Sequence, residues 1–237
     1  MSAAITFSQY IDSDYEQFQL ILLNKLNFDC NVLSTIKELH QNIYQFKELV
    51  YVLDSNNQSN INFTEAINGF IEFVWLLSMG KYKTASMSLR GAMENFAKGL
   101  TETNFLPTDE KFSQNIDRSI KEIVNKFGRK PKEFAKVFSP TYRDDYKQFY
   151  WDLCDIVHSR DNNYSTCAEY LEQVIEKHFD EDKLKYLVSK GNIIIEYSTI
   201  ILMISEYTYL SNAMNPIKFN YILDNFSEPF NLLRPFL

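Results

Sequence analysis

The chain has 237 residues, with 24 Lys and Arg against 31 Asp and Glu for a net charge of −7, and a pI of about 5.1. That balance excludes a global attraction to nucleic acid or to an anionic membrane surface, so any contact with nucleic acid must be local. Three cysteines, Cys30, Cys154 and Cys167, have no close pair spacing, which points away from a disulfide framework and toward a cytoplasmic protein with free thiols.

Only six Gly and six Pro punctuate the chain, helical periods are long, and no run of two-residue alternation stands out. Together these predict an all-α fold. The expected architecture is an antiparallel helical bundle of about seven to nine helices in one domain. Residues 30–212 would form its core and 215–237 a docking tail. With 19 Phe and 15 Tyr, that core should be built of large rings.

The first helix is expected within 1–27, where Tyr15, Phe18, Leu22 and Leu26 share a face and Asp12 or Ser13 is placed to cap it. Over 30–54, Val32, Ile36, Leu39, Ile43, Phe46, Val50 and Leu53 alternate steps of four and three, the seam of a bundle helix. The polar stretch 54–60 reads as a loop. A third helix then starts near Asn62, with Glu65 reaching back to the cap, and stops at Gly80. The short connection after it makes the third and fourth helices antiparallel neighbours.

The fourth helix, 80–100, is read as central. Tyr82, Ala85, Leu89, Met93, Phe96 and Leu100 form its core face, while Thr84, Ser88, Gly91, Asn95 and Gly99 offer a face short enough for a second helix to approach closely. Arg90 and Glu94 lie one turn apart on the border, where a half-buried arginine needs a partner. A fifth helix follows over 109–126, burying Phe112, Ile116, Ile120 and Ile123.

Lys126, Arg129, Lys130, Lys132 and Lys136 make the one basic cluster, which reads as a solvated connection or as a contact to a phosphate backbone. Ser139 and Pro140 have the pattern of a helix opening, giving a sixth helix to about Ser159. Tyr142, Tyr146, Phe149, Leu153 and Ile156 are its stripe, Trp151, Cys154 and His158 widen the apolar arc, and Asp144, Gln148, Asp152 and Asp155 take the remaining side. Thr166 with Glu169 suggests a capping box for a seventh helix ending near Phe179. A long eighth helix, 181–214 with a bend at Gly191, is apolar enough over 193–210 to serve as a homodimer interface. Glu196 and Glu206 argue against a membrane span there. The aromatic tail should dock.

His40, His158 and His178 are too scattered for a metal site, and no glycine-rich phosphate loop is present, so neither metal nor cofactor is expected. What remains is a composite site: Arg90 and Glu94 from one central helix, Tyr150 and His158 from the other, with Lys130 and Lys132 as substrate contacts. Histidine moves protons near neutral pH and arginine holds phosphate, a pairing suited to metal-independent RNA cleavage.

The segments Ser88-Leu-Arg-Gly-Ala-Met-Glu94 and Tyr150-Trp-Asp-Leu-Cys-Asp-Ile-Val-His-Ser159 resemble helical bacterial proteins of the HEPN-like group, found in abortive infection and toxin–antitoxin systems. The resemblance covers roughly 65–160 and implies an often dimeric bundle that cuts RNA with an arginine and a histidine. Arg143-Asp144 begins that group's nuclease signature, but Gln148, Phe149 and Tyr150 stand where its histidine belongs. Arg90, Glu94 and His158 therefore enter as a catalytic set defined by geometry. The function expected is phage defence or a toxin system, through RNA binding or cleavage. The alternative is a non-enzymatic interaction module, an antitoxin or immunity protein that binds a basic partner through an acidic surface.

Overall fold

The computed structural model describes residues 6–26, 30–55, 60–104, 111–126, 131–158 and 180–236. They form an all-α bundle in the order α1 (Phe7–Leu26), α2 (Cys30–Asp54), α3 (Ile61–Ser78), α4 (Tyr82–Asn104), α5 (Phe112–Lys126) and α6 (Pro131–Ser139). A π-helical turn (Pro140–Asp145) leads into α7 (Tyr146–His158). Then come α8 (Glu181–Ser205), α9 (Tyr207–Ala213), α10 (Pro216–Asp224), the single turn α11 (Glu228–Asn231) and a 3₁₀ turn at Arg234–Phe236. The expected seventh helix, with Thr166, Glu169 and Cys167, lies outside the described residues, as do His178 and Lys130.

α4 is central, touching α3, α5, α7 and α8. Its core-face residues Ala85, Leu89, Met93, Phe96 and Leu100 are buried, and Tyr82 pins its start by exchanging hydrogen bonds with the Asp180 backbone at 3.0 Å each way. α3 lies against it antiparallel, joined by a tight turn. The Gly80 N–H bonds the Leu77 carbonyl and the Lys81 N–H the Leu76 carbonyl, while Gly80 takes φ 66°, a conformation that favours glycine. The helices approach closely where Gly69 meets Ala92, since a Cβ on Gly69 would stand 2.9 Å from the Ala92 Cβ. Of the short-residue stripe on α4, two positions meet α3 as expected: a Cβ on Gly99 would stand 2.6 Å from the Phe63 ring, and the Ser88 hydroxyl donates to the Gly69 carbonyl at 2.9 Å. Thr84, Gly91 and Asn95 instead line an open groove beside α3.

Several boundaries differ from those read in the sequence. Thr6 and Gln9 form the capping box of α1, so Asp12 and Ser13 lie inside that helix. Asn60, not Asn62, caps α3, accepting from the Asn62 N–H at 3.0 Å. Pro140 does not open a helix: Ser139 is itself helical at φ −68° and ψ −41°. The basic segment after 130 is the exposed side of α6, whose Phe134 and Phe138 are buried. A proline lacks an N–H and crowds the carbonyl four residues back, and the wider π turn accommodates it without ending the helix.

Gly191 marks a packing gap rather than a bend. The Phe73 ring fills the space its Cβ would need, at 2.5 Å, and the helix instead breaks at Glu206 (φ −111°, ψ 21°). Nor is 193–210 an exposed interface. Ile194, Ile195, Ile200, Ile201, Leu202, Met203, Ile204 and Leu210 are buried inside the chain against α2 and its neighbours. Among the described residues α8 is the one helix long and apolar enough to cross a membrane, and 78% of that apolar window is buried in the fold, as a core helix requires. The tail docks through Phe219, Ile222, Phe226, Phe230 and Leu233.

A row of rings runs through the interior: Phe46 meets Phe70 and Phe96, Phe96 meets Tyr146, and Phe112 packs on both Tyr146 and Tyr150. Tyr146 is fully buried and shares a 2.7 Å hydrogen bond with the Ser198 hydroxyl. A separate aromatic nest joins α1 to α2. There buried His40 bonds Asp14 through Nε2 at 2.8 Å, with Tyr15 and Phe18 both at 5.1 Å. Its Nδ1 is buried without a partner, and burial outweighs Asp14 to lower the imidazole pKa.

Candidate functional site

Arg90 and Glu94 stand on the flank of α4 that faces α7. Their spacing places them one turn apart, and the Arg90 Nε lies 3.6 Å from the Glu94 Oε1, with 25% and 35% of the two side chains exposed. From α7 the Tyr150 hydroxyl donates to the same Glu94 oxygen at 2.6 Å. Arg90 Nη1 points at the Cys154 Sγ at 3.8 Å, so Cys154 is a half-buried member of this cluster rather than a core filler. Arg90, Glu94 and Tyr150, singled out from sequence, thus meet at one place. His158 closes α7 one turn beyond Cys154, and its side chain lies outside the described residues.

Phe112 stacks on Tyr150 at 4.0 Å and 15°, which fixes the phenol over Glu94. Burial first, then the carboxylate, push the Tyr150 pKa far above that of a free phenol, so this hydroxyl stays protonated and acts as a donor at physiological pH. Arg90 is less well served. Its Nε is buried without a hydrogen-bond partner, and a thiol is a weak acceptor. A guanidinium has five donors in a planar fork, and among the described hydrogen bonds only Nη1 is engaged, by the Cys154 sulfur.

Beside this cluster opens a pocket of about 350 Å³ lined by Glu94, Lys98, Lys111, Phe112, Ser113, Asn115, Tyr150 and Trp151. Trp151 is 50% exposed, so the apolar arc expected on α7 is not fully covered. Lys98 and Lys111 are the cations here. Lys132 is exposed on α6, and no described contact joins it to the cluster, whereas Lys98 and Lys111, not among the residues expected from sequence, line the pocket. One signal was there: Lys98 follows Glu94 by one helical turn, on the flank already carrying Arg90. Among the described residues no group of His, Cys, Asp and Glu is arranged to hold a metal ion.

Arg143 does not join this site. It pairs with Asp144 at 2.8 Å and lies 4.0 Å from Asp117, on a different flank of the bundle from Arg90 and its partners. No family model, no curated protein and no solved structure matches the chain.

Proposed function

We propose that this chain is a HEPN-like protein of bacterial phage defence or of a toxin system, engaging RNA at the α4–α7 flank and cleaving it without a metal. The observation that carries the reading is Arg90: a half-buried guanidinium, oriented by Glu94, whose Nε has no hydrogen-bond partner. Such a cation gains most from a phosphate, which accepts in the planar geometry the fork presents. Tyr150 holds Glu94 in place, and Glu94 keeps Arg90 aimed.

In the proposed reaction the ribose 2′-oxygen attacks the adjacent phosphorus, the bond from phosphorus to O5′ breaks, and a 2′,3′-cyclic phosphate and a 5′-hydroxyl result. His158 carries the proton from the 2′-hydroxyl toward the departing O5′, and Arg90 faces the charge that grows on the phosphoryl oxygens. The test is RNA integrity in bacteria expressing the wild type or a folded Arg90→Ala/His158→Ala variant. Fragments with 5′-hydroxyl ends in the wild type alone are expected. Intact RNA in both strains, with and without phage challenge, overturns the reading.

A second reading, a non-enzymatic module that binds a basic partner, is favoured by the open side of α3 and α4. Ile71, Trp75 and Met87 are each nearly half exposed there, beside Glu65 and Glu72 in the groove, an apolar surface rimmed by acids.

A further inference from the structure

We propose that the pocket between α4, α5 and α7 receives one unpaired guanine of single-stranded RNA. The base stacks on the Trp151 indole, its Watson–Crick edge donates to Glu94, and the flanking phosphates lie on Lys98 and Lys111. This inference rests on the RNA reading above and names the base that the site selects.

Three observations carry it. The first is the arrangement of rings. Phe112 covers one face of Tyr150 at 4.0 Å, and Trp151 meets Tyr150 edge-on at 5.2 Å and 81°, so the tyrosine is fully engaged while the half-exposed indole keeps a face toward solvent. An indole fixed at the mouth of a pocket of about 350 Å³ is a stacking platform, and one base stacked on an aromatic side chain is worth roughly five- to 150-fold in affinity.

The second is charge. In a chain of net charge −7, the nearby Lys147 and Lys190 are neutralised by Asp117 and Asp152. Lys98 and Lys111 have no ion pair among the described residues, and both line this pocket. They give a local positive edge where the global field is negative, as a strand backbone requires.

The third is the carboxylate. Glu94 uses Oε1 for Tyr150 and for Arg90, and its second oxygen makes no hydrogen bond among the described residues. Guanine presents N1–H and an N2 amino hydrogen side by side, two donors matched to a carboxylate. Adenine and cytosine present an amino hydrogen next to a ring acceptor, and uracil places its single N–H between two carbonyls that a carboxylate repels. Selectivity should therefore run from guanine, through adenine and cytosine, to uracil.

The experiment uses the full chain with Trp75→Phe, which leaves Trp151 as the one indole, and pentanucleotides UUGUU, UUAUU, UUCUU and UUUUU with 2′-O-methyl riboses that cannot be cleaved by internal attack. Saturable change in Trp151 emission is expected, with UUGUU bound at least about tenfold more tightly than UUUUU. Glu94→Gln should erase the guanine preference while binding persists. Lys98→Ala/Lys111→Ala should weaken all four sequences alike and flatten the salt dependence by roughly two charges. Trp151→Ala, at an exposed position that does not threaten folding, should lose most of the affinity by calorimetry.

Equal affinity for the four sequences overturns the base assignment, and binding that leaves Trp151 emission unchanged overturns the location. The two levels of inference fail separately. RNA cut in cells by a protein whose Trp151 ignores these oligonucleotides sinks the pocket alone. Guanine-selective binding by a protein that leaves cellular RNA intact sinks cleavage alone.

Discussion

The His40 nest between α1 and α2 and the Arg90 cluster between α4 and α7 are built from similar materials: a nitrogen base, a carboxylate and several rings. In the first, Tyr15 and Phe18 close over the imidazole, and Asp14 is the one described polar atom it reaches. In the second, the rings stop short and a pocket opens beside Glu94. The chemistry of the groups does not separate the two places; access does. The glycines repeat the contrast, for Gly191 is packed under Phe73 whereas nothing lies within 4 Å of where a Cβ on Gly91 would stand.

The largest effect should come at the open cluster. Arg90→Lys keeps the charge and loses the fork, and RNA cleavage by purified protein should fall by about 10²- to 10³-fold with little change in melting temperature. His40→Leu in the closed nest should leave that rate unchanged, and a comparable loss there would erase the distinction. Gly191→Ala should destabilise the fold by about 1–3 kcal/mol in urea unfolding, because its Cβ would sit 2.5 Å from the Phe73 ring and neither can yield cheaply. Gly91→Ala should instead add up to about 1 kcal/mol, the helix-propensity difference at an uncrowded site.

The smallest effect is a pH slope. Burial lowers the His40 pKa in the folded chain, so the unfolded chain binds the proton first as pH falls below the ordinary value near 6.5. The stability this neutral imidazole contributes is present above that value and lost as pH drops through the lower folded pKa. The slope cannot exceed about 1.4 kcal/mol per pH unit for one proton. Urea midpoints between pH 7.5 and 5 should show it in the wild type and not in His40→Leu.

Much of the bundle was legible because apolar period survives wherever a helix has one buried side. Ile36, Leu39, Ile43, Phe46, Val50 and Leu53 are all buried as their spacing implied. The basic run hid α6, since charges on its solvent side masked Phe134 and Phe138, four residues apart. α8 misled in the opposite way: a helix apolar nearly all round looks like an interface until its partners are placed on every side. Of the site, Arg90, Glu94 and Tyr150 could be read because helical spacing put them on facing flanks. Lys98 carried the same local signal, one turn beyond Glu94; the meeting with Lys111 and Trp151 could not be read, because it depends on how α5 and α7 pack against α4 rather than on any local pattern.

The π turn at Pro140–Asp145 sets the phase of everything after it. Phe134, Phe138, Tyr142 and Tyr146 follow one another at steps of four, all fully buried, and the same count continues to Tyr150, Cys154 and His158. The rod that anchors itself in the core is thus the rod that presents the site, and the wide turn between its halves is its one adjustable joint. Deleting a single residue there would restore ordinary winding and swing Tyr150 about 100° around the helix axis. The core would keep its anchor at Phe134 and Phe138, while the carboxylate of Glu94 would face a different side chain altogether.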